Sequence, residues 1–200
     1  MKRKFMVLVA IVLLSCFFST IVQAEDKPQI ALGLNAKFEV APSWHLTTSL
    51  NFLNLITAYG PYLYFGTQYQ VNKYFNLAAF VGYGFENKTT DRGLLGGVAL
   101  TGNYDKWTFS TDLEYLGGID CFWSYNYVGY KPLSWLMLSA DNRNYYYVRS
   151  EDKNKSMYQA GPSVMFFLGK NTVLKFVYFR SFEQDGEDAN IFRVVLKFNF

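Results

Sequence analysis

The chain has 200 residues, half of them hydrophobic and a fifth aromatic, with a formal net charge of +3. That length accommodates one domain, and a mean hydropathy of 0.00 requires apolar and polar residues to be interleaved rather than blocked. One histidine and two cysteines give no metal-ligand spacing, which argues against a metal centre.

The interleaving fails only at the N-terminus. Met1-Lys2-Arg3-Lys4 is a basic start, Phe5 to Phe18 is apolar apart from Ser15, and Val22-Gln23-Ala24 presents small residues at a cleavage site. This order describes a secretory signal peptide over residues 1–24 and predicts export by the Sec route. Two alternatives are weaker. The run is short for a membrane anchor and leads into Glu25-Asp26-Lys27-Pro28. Leu13-Leu14-Ser15-Cys16 is loosely like a lipobox, but apolar residues rather than a polar tether follow Cys16. The leader holds three basic residues and no acidic one, so residues 25–200 carry 16 of each sign. The net charge therefore says nothing about nucleic acid. Cys121 is the only cysteine beyond the leader.

From residue 25 the apolar residues recur with period two, and no run approaches the roughly 20 residues of a transmembrane helix. Ile30, Leu32, Leu34, Ala36 and Phe38 alternate with Asn35, Lys37 and Glu39. Phe75 to Phe85, Trp107 to Leu116 and Phe192 to Phe200 repeat the pattern. Such alternation describes strands with two different environments. Tight turns are predicted at Pro42-Ser43, Asn72-Lys73, Asp105-Lys106, Lys131-Pro132 and Gly169-Lys170-Asn171, four of them followed by an aromatic residue. Longer polar segments lie between, at 86–92, 142–155 and 183–189, with shorter breaks near 57–61 and 117–120. Eleven strand-like segments start near residues 29, 44, 61, 74, 93, 107, 121, 133, 156, 172 and 190. Bacterial single-chain barrels have even strand numbers, so about ten strands are expected, with eight or twelve open.

A soluble barrel or sandwich also alternates. Here, however, one face carries Lys37, Glu39, Asp112, Glu114, Arg193 and Lys197 and the other almost only large apolar side chains. An apolar core does not hold such charges unpaired. The reading is an all-β, antiparallel up-and-down transmembrane barrel over residues 25–200, with short turns on one side and longer loops on the other. Arg180, on the apolar parity, would snorkel near a loop.

With this leader, these strands and the terminal Phe198-Asn199-Phe200, the chain resembles the small outer-membrane β-barrels of Gram-negative bacteria. Segments 69–75 and 81–85 are also similar to strand and turn segments of that class. The resemblance covers residues 25–200 and names no subfamily. It implies residence in the outer membrane, contact with its lipid and lipopolysaccharide, and recognition of Phe198 and Phe200 by the barrel-assembly machinery.

The functional reading is a non-enzymatic barrel, either structural or a narrow passive channel for small polar solutes, without cofactor or metal. Candidate lumen charges are Lys37, Asp112, Glu114, Asp141, Lys175, Arg193 and Lys197. Asn35, Thr47, Ser49, Asn51, Gln68, Gln70, Thr101, Asn103, Ser110, Asn126, Ser139, Gln159 and Ser163 are expected beside them, with bulk from Tyr62, Tyr64, Phe80, Met165 and Phe167. Lys37, Lys175 and Lys197 would form a basic wall facing Asp112 and Glu114, unless Glu39 and nearby carboxylates neutralise them locally. About eight strands leave an interior filled by side chains, and 16–18 open a channel. Two alternatives remain. One is a loop-presenting adhesion or interaction protein. The other is a membrane-embedded lipid-modifying enzyme resembling the lipid A deacylases, with His45 and Ser49 on one strand face. His45 has the lumen parity, which disfavours a site open to lipid. Gly82, Gly84, Gly96 and Gly97 read as bends or as room for large neighbours. No basic patch with interleaved aromatics suggests nucleic acid.

Overall fold

The structure is a computed structural model that describes residues 29–52, 61–85, 93–117, 120–148, 156–183 and 189–200. The expected leader lies outside the described residues, as do the segments 86–92 and 149–155. Period-two alternation becomes eleven strands: β1 (Gln29–Ala41), β2 (Trp44–Phe52), β3 (Pro61–Gln70), β4 (Phe75–Gly84), β5 (Gly93–Tyr104), β6 (Trp107–Leu116), β7 (Cys121–Leu133), β8 (Leu136–Tyr147), β9 (Met157–Phe167), β10 (Thr172–Glu183) and β11 (Ala189–Asn199). Each pairs antiparallel with its sequence neighbours, and β1 pairs parallel with β11, closing the sheet into a barrel.

The expected even number is corrected here. An antiparallel meander of eleven strands returns with its first and last strands running the same way, so the seam is parallel. It joins Gln29↔Arg193 through Asn35↔Asn199. Beyond that register, the Phe200 amide donates to Asn35 O at 2.8 Å and the Lys37 amide to Phe200 O at 3.1 Å. The last residue thus belongs to the closing ladder. Gln29 starts on the side of the longer connections and Phe200 ends on the side of the tight turns.

The pairing is strongly staggered. A single row of partners runs from Asn35, in the middle of β1, through Ser49, Tyr64, Gly82, Leu95, Leu116 and Cys121 to Tyr147 at the loop end of β8. Strands in a barrel tilt in this way, so neighbours in a row stand at different heights.

Two of the predicted boundaries move. The β7–β8 turn falls at Ser134-Trp135, and Lys131-Pro132 lies inside β7, where the register shifts between Tyr130 and Leu133. Proline has no amide for the ladder, and a bulge removes the need for one. Residues 142–147, expected to be loop, are the end of β8. The other tight turns stay where the sequence puts them. Ser43, Asp105 and Gly169 adopt positive φ there (67°, 52° and 101°).

Phe38, Leu46, Phe65, Leu77, Val81, Leu94, Val98, Leu113, Val128, Leu138 and Phe182 are all exposed on the outside. Aromatic pairs ring the turn end: Trp44–Tyr69, Tyr74–Tyr104, Trp107–Tyr130 and Trp135–Phe166. A second set rings the loop end: Tyr83–Phe85, Tyr115–Phe122 and Tyr146–Tyr158.

Candidate lumen site

The interior is a polar lumen holding a cavity of about 760 Å³. Six of the seven predicted lumen charges line it: Lys37, Asp112, Glu114, Lys175, Arg193 and Lys197. The seventh, Asp141, is buried against the wall behind Lys175. Alternation explains why they share the inside. Asp112 and Glu114 are two apart on β6, and Arg193 and Lys197 are four apart on β11.

The densest network stands on β7–β10. Asp141 forms an ion pair with Lys175 across β9 and accepts a hydrogen bond from the Tyr125 hydroxyl. Ser163 Oγ donates to its other oxygen at 2.8 Å and Ser139 Oγ at 3.0 Å. Lys175 Nζ also donates to Tyr125 Oη at 2.6 Å and lies 5.0 Å from the centroid of Tyr127. Asp141 is 3% exposed and Lys175 is 6% exposed. A pair so deep persists because the ion pair and the surrounding hydroxyls give both carboxylate oxygens partners; an unpaired charge there would be strongly destabilising. Lys175 is therefore neutralised locally, two strands from its partner. The basic wall facing an acidic one is corrected to that extent.

The opposite wall is filled differently. On β3–β5 the aromatic rings occupy the space above glycines. A Cβ on Gly97 would stand 2.8 Å from Phe80 Cζ, and one on Gly84 would stand 3.0 Å from the Tyr62 ring. Gly96, on the outer face, would meet only ordinary contacts. Tyr64 packs edge-on against Phe80 and donates its hydroxyl to Glu114 at 3.0 Å. Ser110 donates to Asp112 at 3.2 Å on the neighbouring strand.

One predicted lumen residue is on the wrong face. Asn126 points outward, where it accepts from Thr111 at 2.5 Å and donates to Asn142 at 3.3 Å. Asn142, Asn144 and Ser124 continue this outer ladder. The pattern of β7 is inverted, with Trp123, Tyr125 and Tyr127 inside and Ser124 and Asn126 outside. Arg143, which sequence reasoning had placed in a loop, lines the cavity. The parity Ser139, Asp141, Arg143 would have revealed it, had the strand been extended.

His45, Thr47 and Ser49 share the inner face of β2, and His45 Nδ1 is buried without a hydrogen-bond partner among the described residues. Among the described residues no three His, Cys, Asp or Glu side chains stand together as a metal site. Phe198 faces outward between β1 and β10. No protein-family model matches the chain, and no curated protein matches it as a relative.

Proposed function

We propose that the chain is an outer-membrane β-barrel whose charged lumen passes small polar solutes. The observation that carries this reading is the sorting of the wall. Charged side chains line an interior cavity, while most of the outside is an apolar band between two aromatic belts, interrupted by the amide ladder of Asn126, Asn142 and Asn144. On β6 these belts, at Trp107 and Tyr115, stand roughly 26 Å apart along the strand at about 3.3 Å per residue. A tilt of about 35–45° shortens that to roughly 20 Å, somewhat less than the apolar band of a membrane barrel, about 25 Å. Water would wet such a surface at great cost; lipid would not. The leader over residues 1–24 would deliver the chain through the inner membrane. Phe200, as part of the closing ladder, would serve the barrel-assembly machinery.

The test is fractionation followed by single-channel recording. The expected protein is heat-modifiable on gels, sediments with outer membranes, and gives small discrete conductance steps in planar bilayers. Recovery in the soluble periplasmic fraction would overturn the membrane reading. A folded, inserted barrel with no conductance would leave a structural or loop-presenting protein.

A further inference from the structure

Arg143 is 5% exposed and lines the lumen cavity. Its guanidinium lies over the Phe179 ring, 4.5 Å from the centroid, and its Nε has no hydrogen-bond partner among the described residues. Among the described residues it forms no ion pair. The lumen carboxylates are held by other groups, among the described residues only Asp141 by a cation. Asp141 takes Lys175, Tyr125, Ser139 and Ser163. Glu114 takes Tyr64 and Asp112 takes Ser110, both on the β6 side of the cavity. More positive charge stands close by. Arg193 and Lys197 of β11 line the same cavity, and Arg143 reaches over β9 to Phe179 of β10, the strand paired with β11.

A guanidinium withdrawn from water and left without an anion is unfavourable. Its planar fork suits two oxygens of one carboxylate or phosphate group, and the ring of Phe179 beneath it fixes the plane. The cavity, about 760 Å³, has room for a small organic anion.

We propose that Arg143, supported by Arg193 and Lys197, forms a binding site in the lumen for small solutes bearing a carboxylate or phosphate group, which makes the passage anion-selective. This rests on the reading of the barrel as a conduit, deepens it by naming the solute class, and is tested so that the two fail separately. Reversal potentials in a KCl gradient read selectivity, and quenching of Trp123, on the cavity wall, by inorganic phosphate reads binding. The wild type should favour chloride and bind phosphate. Arg143→Gln should weaken phosphate binding on the order of tenfold or more, as expected for losing a charged hydrogen-bond pair, and shift the reversal potential toward zero. Arg143→Lys should keep the sign of selectivity but bind phosphate less well. Arg180→Gln, on the outer surface, should change neither. A conducting barrel without anion preference, or phosphate binding unaltered in Arg143→Gln, would overturn the site. A folded barrel that binds phosphate but never conducts would uphold the site and overturn the conduit.

Discussion

The two walls of the lumen solve the same packing problem by different means. On β3–β5, Tyr62 and Phe80 occupy room left by Gly84 and Gly97. Fit between ring and glycine matters most there, and the contacts are short-ranged. On β7–β10, Asp141 and Lys175 sit among Tyr125, Ser139 and Ser163. There the count of charges and protons matters, and removing one member leaves the rest exposed to each other. The aromatic wall should yield gradually to substitution, whereas the charged wall should fail when it loses one partner.

The largest effect is expected from Asp141→Ala. It strands Lys175 in a buried position and should cost about 3–5 kcal/mol, read as a lower urea midpoint for unfolding from lipid vesicles. The double change Asp141→Leu with Lys175→Met should recover most of that loss, because an apolar pair of similar volume replaces a buried ion pair at little cost. If the double variant is as unstable as the single one, the lost hydrogen bonds from Tyr125, Ser139 and Ser163, rather than the stranded charge, carry the cost.

Gly97→Ala should come next, at roughly 1–3 kcal/mol. Its Cβ would stand 2.8 Å from Phe80 Cζ and 2.3 Å from Leu113 O. Adding Phe80→Ala should remove the ring clash but not the backbone one, so a double-mutant cycle should show partial rescue. Phe80→Ala alone should widen the cavity that Phe80 lines and raise single-channel conductance. Unchanged conductance would mean that the constriction lies elsewhere.

The smallest effect belongs to the outer side of the charged wall. Asn126→Leu removes a hydrogen bond to Asn142 and the acceptor of Thr111. Hydrogen bonds within a membrane average well under 1 kcal/mol, and the leucine gains contact with lipid, so the urea midpoint should move little. A loss comparable to that of Asp141→Ala would show that the outer amides support the inner network.

Much of this architecture was legible from alternation. Period two sorts residues onto two faces without any knowledge of the fold, and it found strands starting at Gln29, Trp44, Pro61, Trp107, Cys121 and Thr172 where they occur. It sorted Lys37, Asp112, Glu114, Lys175, Arg193 and Lys197 correctly because each stands among strongly apolar neighbours. It failed on Asn126. In Trp123-Ser124-Tyr125-Asn126-Tyr127 the aromatic residues face inward, and alternation carries no sign. Only the register with β6, where Thr111 meets Asn126 and Phe109 meets Val128, says which face is outside. Arg143 was missed because the run of asparagines around it reads as loop.

The sequence by itself therefore determined the strands, their two-faced character and most of the lumen charges, since these depend on local spacing along one chain. The tertiary structure decided the rest. The strand number and the parallel seam follow from how the sheet closes. Asp141 meets Lys175 two strands away by reaching diagonally over β9, since the ladder sets Met137, not Asp141, in the row of Lys175. Arg143 is left facing the cavity for the same reason: which charges meet across a barrel depends on stagger and closure, and neither is written in the spacing of residues along a strand.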